Sequence, residues 1–271
     1  MTSGDEKHFG PGWDGWESYR LFKQSVKADL RYVRHKNTDD LLDQVLASRG
    51  DRERTIPRGW LCWRARIGCE TEEVERVDDD TRVVYDEDRP YGQQGMKPIP
   101  NWQREGRANP RGIPYLYLGT SRDTALAEVR PWIGSIVSVA QFEIIRELRV
   151  IDCSKHHQKD ALLSVLTDKS LTRADGMWMA IDQAFATPVS REDEGGEYIS
   201  TQIIAELFKR EGFDGIAYKS LLSDDGFNVA LFNLDDARVI NCALYRAASL
   251  KFEFQPDGVQ YFVRDQGMPE E

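Results

Sequence analysis

The sequence predicts an α+β fold in which helices surround a mixed β-sheet. Segments with the two-residue period of strands and segments with the three-to-four-residue period of helices are interspersed along the chain, without regular strand–helix–strand alternation. The phosphate-binding loop Gly-x-x-x-x-Gly-Lys-Ser/Thr is absent. With 271 residues, of which 40% are hydrophobic, the chain can form one or two domains with a sizeable core.

Two amphipathic helices are predicted at the start of the chain. In the first, apolar residues recur at steps of three and four and so share one face. These residues are Trp16, Tyr19, Phe22, Val26, Leu30 and Val33. The second helix begins with Asn37 or Thr38 as its N-cap and ends before Gly50. We interpret residues 1–54 as an N-terminal helical segment, either a small module or part of the main core.

The first predicted strand places two arginines on one face. Between residues 61 and 67, apolar side chains alternate with Cys62, Arg64 and Arg66. The period of two therefore puts Arg64 and Arg66 on the side opposite the apolar set. That side either faces solvent or lines a polar cleft, and this strand alone favours neither alternative.

A long irregular connection is predicted over residues 68–111, which are rich in Asp, Gly and Pro. Loops of this length in a compact domain tend to be functional or mobile. Its acidic part, residues 70–88, contains three consecutive aspartates and is interpreted as a solvated loop.

A short strand and a short helix follow. Tyr115 and Tyr117 share one face of the strand. Thr120-x-x-Asp123 is typical of the start of a helix, and Pro131 limits that helix to about two turns. Glu128 lies in the last turn, where the helix dipole disfavours a carboxylate. A local rule broken in this way is a hint of function.

The rest of the chain continues the mixed pattern. Helices are predicted over residues 159–169, 174–186 and 198–211, and strands over 135–144, 148–152, 213–218, 228–234 and 238–245. Residues 251–254 and 259–263 flank Pro256-Asp257-Gly258, which predicts a hairpin. We therefore divide the remaining chain into a catalytic domain, 55–247, and a C-terminal hairpin and tail, 248–271.

Composition excludes several classes of protein. The net charge of −10 argues against a general nucleic-acid binder, although a pocket can still be locally basic. No apolar run is long enough to cross a membrane and the N-terminus has no signal core, so we expect a cytoplasmic protein. The four cysteines and four histidines do not form a metal-binding pattern, and no metal is expected.

Four segments, taken in order, resemble the RES domain family, which is named for its Arg, Glu and Ser and comprises the toxins of RES–Xre toxin–antitoxin systems. They are Trp63-Arg64, the segment from Gly106 to Tyr117, Ala127-Glu128, and the segment from Gly212 to Ser220. The resemblance extends over about residues 60–242. The N-terminal helices resemble the additional segment of the longer members.

The resemblance implies a fold related to ADP-ribosylating toxins, with a central split β-sheet. It implies that NAD⁺ is a substrate rather than a cofactor, that inorganic phosphate is the co-substrate, and that a helix-turn-helix antitoxin is the protein partner. A homo-oligomer is possible. The functional residues of the family fall on Arg64, Glu128 and Ser220, which we assign as catalytic, and on Arg107 and Tyr117, which we assign as substrate-binding.

The chemistry of these residues agrees with the resemblance. Cleavage of the nicotinamide–ribose bond builds positive charge on the ribose, which a carboxylate such as Glu128 stabilises. Arg64 and Arg107 can bind phosphate groups through paired hydrogen bonds. Tyr117 can stack on a ring or bind an oxygen, and Ser220 can donate to a phosphate.

Two neighbours widen the set of candidates. Arg66 shares a strand face with Arg64 and can take the leading role, and Tyr115 shares a face with Tyr117. We therefore add Arg66 and Tyr115 as substrate-binding candidates. The family more commonly has an aromatic residue where this chain has Ala108.

Structural alternatives exist for each candidate. Glu128 can be a surface residue paired with an arginine, the arginines can form structural ion pairs, the tyrosines can be core residues, and Ser220 can cap a turn. At the level of the whole protein, an ADP-ribosyltransferase that modifies a protein, or an inactive nucleotide-binding interaction module, are the alternatives to an NAD⁺ phosphorylase.

Overall fold

The computed structural model describes residues 9–78, 81–99, 105–155, 157, 160–189, 194–223 and 226–250. Its helices are α1 (Pro11–Ala28), α2 (Lys36–Ala47), α3 (Gln93–Met96), α4 (Arg122–Glu128), α5 (Ala161–Thr167), α6 (Arg173–Ala186), α7 (Glu194–Glu197) and α8 (Ile199–Arg210). Its strands are β1 (Glu53–Ile56), β2 (Leu61–Ile67), β3 (Glu70–Asp78), β4 (Thr81–Arg89), β5 (Leu116–Gly119), β6 (Ile136–Ile144), β7 (Leu148–Asp152), β8 (Gly215–Lys219), β9 (Phe227–Leu231) and β10 (Ala237–Arg246).

Eight strands form one mixed sheet in the order β1-β7-β8-β9-β5-β2-β6-β10. Strands β7 and β8 are parallel, and the other neighbours are antiparallel. Strands β2 and β5 share one register pair, Trp63 with Gly119, whereas β2 pairs with β6 along its whole length. The sheet therefore parts between β2 and β5. The predicted α+β class, with a mixed sheet and surrounding helices, is confirmed.

Helices α1, α6 and α8 share the main hydrophobic core on one side of the sheet. Tyr19 and Phe22 of α1 belong to the same buried cluster as Trp178 of α6 and Ile204 of α8. The N-terminal helices are therefore packed into the main core. The domain boundary at residue 54 stays a prediction, and it falls within β1, which pairs with β7.

Two further clusters fix the strands and α4. One is built mainly from strand residues and includes Cys62, Leu116 and Phe142. The other places Ala125 of α4 against Ala65 of β2 and Val139 of β6. The face of β2 opposite Arg64 and Arg66 thus packs beneath α4, as its two-residue period predicts.

Glycines allow α1 and α6 to approach closely. A Cβ atom at Gly15 would lie 1.8 Å from the Arg173 carbonyl oxygen, and one at Gly176 would lie 1.7 Å from the Gly12 oxygen. Residues 10–15 have the spacing Gly-x-Gly-x-x-Gly, but they form the start of a helix with no preceding strand among the described residues. Their spacing therefore serves helix packing.

The predicted N-terminal helices differ from the observed ones at their ends. Helix α1 ends at Ala28, so that Leu30 and Val33 lie outside it and are 38% and 78% exposed. The apolar period continues to Val33 because the spacing of apolar residues does not indicate where the helical backbone ends. Helix α2 begins after His35 rather than after Asn37 or Thr38, and Thr38 is buried inside it.

The irregular connection predicted for residues 68–111 was wrong in part. Residues 70–78 and 81–89 pair as an antiparallel β-ribbon of β3 and β4, and α3 follows. The described side chains of the ribbon are almost all exposed, so no apolar alternation marks its strands. Glu72 lies opposite Glu87, and Glu73 lies opposite Asp86.

Strand β1 and the predicted C-terminal hairpin are at opposite ends of the predicted catalytic domain. Strand β1 was not predicted, because four residues with one buried side chain carry too little pattern. The predicted C-terminal hairpin of residues 251–263 lies outside the described residues.

We predict that Gly176→Ala destabilises the protein. The added methyl group has no room against the Gly12 backbone, so α1 and α6 must separate at a cost of about 3 kcal/mol in the free energy of unfolding. Urea denaturation measures this change. Gly50→Ala is the control, since a Cβ atom there meets nothing within 4 Å. Equal stability of the two variants would contradict the proposed close helix contact.

Candidate active site

A cleft of about 320 Å³ opens where β2 and β5 part. Strands β2, β5, β8 and β9, helix α4 and the loop before β5 form its walls. The polar side chains that line it belong to Arg64, Glu105, Arg107, Tyr117, Glu128, Tyr198, Tyr218 and Asn228. The structure thus brings together four of the predicted residues, Arg64, Arg107, Tyr117 and Glu128. A separate cleft of about 470 Å³ between α1 and α2 contains none of them.

Helix α4 places Glu128 at its C-terminal end. The Ser121 side chain caps the helix by accepting a hydrogen bond from the Thr124 backbone N–H at 3.0 Å. The predicted capping residue, Thr120, was wrong by one position, because its hydroxyl accepts a hydrogen bond from the Phe227 N–H instead. Two residues after α4 ends, Arg130 has a φ of 46°, a conformation uncommon for a large residue, and Pro131 follows.

The carboxylate of Glu128 is fixed through one of its oxygens. Oε1 accepts a hydrogen bond from the Ser220 hydroxyl at 2.7 Å and another from the Asn228 amide at 2.6 Å. The hydrogen bonds that described residues make with this carboxylate all reach Oε1. The carboxylate therefore has a fixed orientation in the cleft, with Oε2 left for a ligand.

Ser220 is completely buried just after β8. Its hydroxyl donates to Glu128, accepts a hydrogen bond from the Leu222 N–H at 3.3 Å, and is not part of the cleft wall. The single hydroxyl hydrogen is thus committed to the carboxylate. In this geometry Ser220 orients Glu128, and donation from Ser220 to a phosphate stays a prediction.

Arg64 presents an incompletely satisfied guanidinium group to the cleft. Its Nη1 donates to the Tyr117 carbonyl at 3.1 Å, while Nε is buried without a hydrogen-bond partner in the described part of the chain. Burial, with a further contribution from the charge of Arg66, lowers the pKa of Arg64 to about 10. The group is still cationic at neutral pH, and a half-buried cation with an unsatisfied N–H favours an anionic ligand.

Tyr117 holds the loop that carries Arg107. Its hydroxyl donates to the Asn109 side-chain oxygen at 2.7 Å and accepts from the Ala108 N–H at 3.0 Å. Gly106 leaves room for this arrangement, since a Cβ atom there would lie 2.7 Å from the Tyr117 hydroxyl. Burial raises the pKa of Tyr117, so the hydroxyl stays protonated and can donate.

Arg107 is buried between the loop and the end of α6. Its Nη1 donates to the carbonyl oxygens of Phe185 at 2.7 Å and Ala186 at 3.1 Å, a favourable position for a cation at a helix C-terminus. Burial alone would lower the pKa of Arg107, but Tyr218, Glu128 and Tyr198 together raise it. Arg107 is therefore a fixed positive charge in the cleft.

Two of the predicted substrate-binding residues lie elsewhere. Arg66 donates to the Gly95 carbonyl at 2.5 Å and covers the ring of Tyr91, so that it anchors the base of the ribbon. Tyr115 is completely buried against Phe232. Neither lines the cleft. The core alternative raised for the tyrosines applies to Tyr115, while Tyr117 reaches the site.

Three residues of the site were missed from the sequence. Tyr218 and Asn228 face each other on β8 and β9, and Tyr198 precedes α8. Asn228 gave a usable signal, because an Asn in a buried apolar strand requires a hydrogen-bond partner. Tyr218 and Tyr198 carry no such signal, since tyrosines are common in strands and at helix ends.

The described residues contain neither a candidate metal cluster nor a candidate membrane-spanning helix. Among them, no group of three or more His, Cys, Asp or Glu side chains could hold a metal ion. No helix found in that part of the chain is long and apolar enough to span a membrane.

A family model supports the resemblance that the sequence suggested. The model of the RES domain matches residues 74–254, which is more than half of the chain. The chain belongs to the RES domain family. The matched region includes Arg107, Glu128 and Ser220, whereas Arg64 precedes it.

Comparisons with solved structures and with curated proteins do not extend the family assignment. The crystal structure of the M. tuberculosis MbcT-MbcA toxin-antitoxin complex matches 76% of this RES protein and 92% of the other chain, with 12% identity and a TM-score of 0.38. A likeness of this size carries no conclusion about this chain. A search of curated proteins gives no match.

We predict a pH-dependent loss of stability in Asn228→Asp. The new carboxyl group would lie at hydrogen-bond distance from Glu128, where the amide now lies at 2.6 Å. The two groups would share a proton and titrate as a pair, with an apparent pKa above that of an isolated carboxyl group. Because protonation then favours the folded state, the variant is most stable at acidic pH and loses stability as the pH rises through that raised pKa.

Thermal melting between about pH 5 and pH 8 measures this effect as the Tm difference from the wild type. Asn241→Asp is a matched control, since the Asn241 amide also donates at 2.6 Å, to Gln141, but on an exposed part of β10. A Tm difference that does not change with pH would show that Asn228 and Glu128 are not in contact.

Proposed function

We propose that this RES protein is an NAD⁺ phosphorylase that cleaves the nicotinamide–ribose bond and acts as a toxin. The bond between ribose C1 and the nicotinamide nitrogen breaks, and its electron pair leaves with neutral nicotinamide. A phosphate oxygen forms the new bond to C1, which gives ADP-ribose 1″-phosphate. The observation that supports this proposal best is the oriented carboxylate of Glu128 opposite two arginines in one cleft.

The carboxylate supplies the electrostatic part of the reaction. Positive charge develops on the ribose as the bond to nicotinamide lengthens, and a fixed negative charge stabilises it. Ser220 and Asn228 hold Oε1, so the carboxylate does not have to reorient during the reaction. Nicotinamide leaves as a neutral molecule and needs no general acid, so the one carboxylate that is held by hydrogen bonds, Glu128, is sufficient.

The arginines supply the anion-binding part. Arg64 has an unsatisfied buried Nε, and Arg107 is a fixed cation held by the end of α6. Bidentate hydrogen bonds from guanidinium groups suit both a pyrophosphate and an incoming phosphate. We assign phosphate as the acceptor because Arg64 and Arg107 place two cations in the cleft.

Family membership supports the biological part of the proposal. RES proteins are expected to be toxins that a helix-turn-helix antitoxin neutralises, in the cytoplasm where NAD⁺ is available. In this view the antitoxin is a protein that covers or occupies the cleft.

Incubation of the purified protein with NAD⁺, with and without inorganic phosphate, tests the reaction. We expect nicotinamide release that depends on phosphate, with ADP-ribose 1″-phosphate identified by phosphorus NMR and mass. ADP-ribose formed without phosphate would indicate a hydrolase instead of a phosphorylase. The absence of any turnover would contradict the proposal and favour a transferase or a binding module.

Glu128→Gln tests the role of the charge. The amide keeps the shape of the side chain but removes its charge, so turnover should fall by at least about a hundredfold, as for the loss of one transition-state contact. Expression of the wild type should arrest growth, and the variant should not. Glu143→Gln, which removes a carboxylate paired with Arg238 at the edge of the sheet, is the control and should retain turnover. Near-wild-type turnover of Glu128→Gln would remove Glu128 from the mechanism.

A further inference from the structure

A second cavity adjoins the cleft on the side of the N-terminal helix. It has a volume of about 250 Å³ and lies between α1, α6 and the start of α8. Its lining includes Trp16, Tyr19, Ala180, Gln183, Ala184 and Tyr198. The two alanines are one turn apart on α6 and leave the space that larger side chains would fill.

The cleft and the cavity share a wall. The side chain of Tyr198 lines both of them. Arg107, in the cleft, contacts Tyr198 and is held by the carbonyl oxygens of Phe185 and Ala186, which directly follow Ala184 of the cavity. A fixed cation therefore stands at the junction of the two spaces.

The sizes of the two spaces indicate how they are used. Binding sites for drug-sized ligands have volumes of about 300 to 1,000 Å³. At about 320 Å³, the cleft is near the lower limit. A dinucleotide has two bases, two riboses and a pyrophosphate, and it therefore needs more space than the cleft alone provides.

We propose that this cavity binds the adenosine half of the dinucleotide, while the cleft binds the nicotinamide half. The proposal rests on NAD⁺ being the substrate. Trp16 and Tyr198 offer aromatic surfaces for a flat base, and base–aromatic stacking is a strong and common contact. The pyrophosphate then passes Arg107 at the junction, where its charge is compensated.

The charges at the rim of the cavity are compatible with this ligand. Glu197 would repel a phosphate, but it forms ion pairs with Lys23, at 2.8 Å, and with Lys27. The three groups together carry a positive charge. The rim therefore does not oppose an anion at the junction.

The proposal gives the N-terminal helix a role in binding. Helix α1 precedes the region that matches the RES domain model, residues 74–254. Its Trp16 nevertheless forms part of the cavity wall. Residues outside the matched domain would thus complete the dinucleotide site.

Ala184→Leu in the full chain tests the proposal by filling the cavity. The readout is the ratio of kcat/KM for NAD⁺ to that for nicotinamide mononucleotide, which lacks the adenylate half. We expect this ratio to fall by about tenfold or more, corresponding to the loss of one stacked base. Ala28→Leu, the same substitution at an exposed position of α1, is the control and should leave the ratio unchanged.

Trp16→Ala and Trp16→Phe provide a second test that does not overpack the fold. The ratio should fall in Trp16→Ala and recover in Trp16→Phe, which keeps an aromatic ring. Equal effects on both substrates, or none on either, would overturn the adenosine site.

A binding measurement separates this proposal from the proposed function. Calorimetry with AMP should show binding to the wild type and to Glu128→Gln, and binding at least about tenfold weaker to Ala184→Leu. This result would support the cavity even if the protein did not turn over NAD⁺. A wild type that does not bind AMP, or AMP binding insensitive to Ala184→Leu, would contradict the proposal.

Discussion

The candidate site depends on the place where the sheet stops being continuous. Strands β2 and β5 meet at Trp63 and Gly119 and then part. Gly119 permits this meeting because α4 lies directly on it, with the Ala125 nitrogen 2.9 Å and the Ser121 oxygen 3.1 Å from where a Cβ would stand. Beyond the pair, the Arg64 side chain takes over a role of the missing strand ladder and donates to the Tyr117 carbonyl. A side-chain hydrogen bond from Arg64 thus replaces a backbone hydrogen bond between the strands, and it places the guanidinium group in the cleft.

The residues behind the cleft fix those that face it. Ser220 and Asn228 orient one carboxylate, and the Tyr117 hydroxyl organises the loop of Arg107. These contacts are made when the protein folds, so a ligand meets groups that are already oriented. Electrostatic stabilisation of a transition state is most effective when its dipoles and charges need no rearrangement.

The fold class and the charged residues of the cleft were predicted from the sequence. Which candidates line the cleft, and which hold neighbouring groups in position, was not. The strand period placed Arg64 and Arg66 on one face correctly. It could not separate them, because Arg66 contacts Tyr91, just before α3, and Gly95, within α3, which lie far from β2 in the sequence. Likewise, the period could not distinguish the buried Tyr115 from Tyr117. The ribbon of β3 and β4 was not predicted, because its strands are held together by backbone pairing and do not show the apolar alternation from which strands are predicted.

That ribbon has a physical consequence of its own. Glu73 and Asp86 lie opposite each other across the two strands, where like charges repel, whereas the opposed Glu72 and Glu87 both form ion pairs with Arg89. Because these side chains are largely exposed to solvent, dissolved ions weaken the repulsion over about 10 Å at moderate ionic strength. The same ions weaken the exposed pairs that Arg89 forms with Glu72 and Glu87, so both the repulsive and the attractive contacts between the strands depend on ionic strength. The ionic strength of the solution therefore contributes, together with the sequence of the ribbon, to the stability of the pairing between β3 and β4.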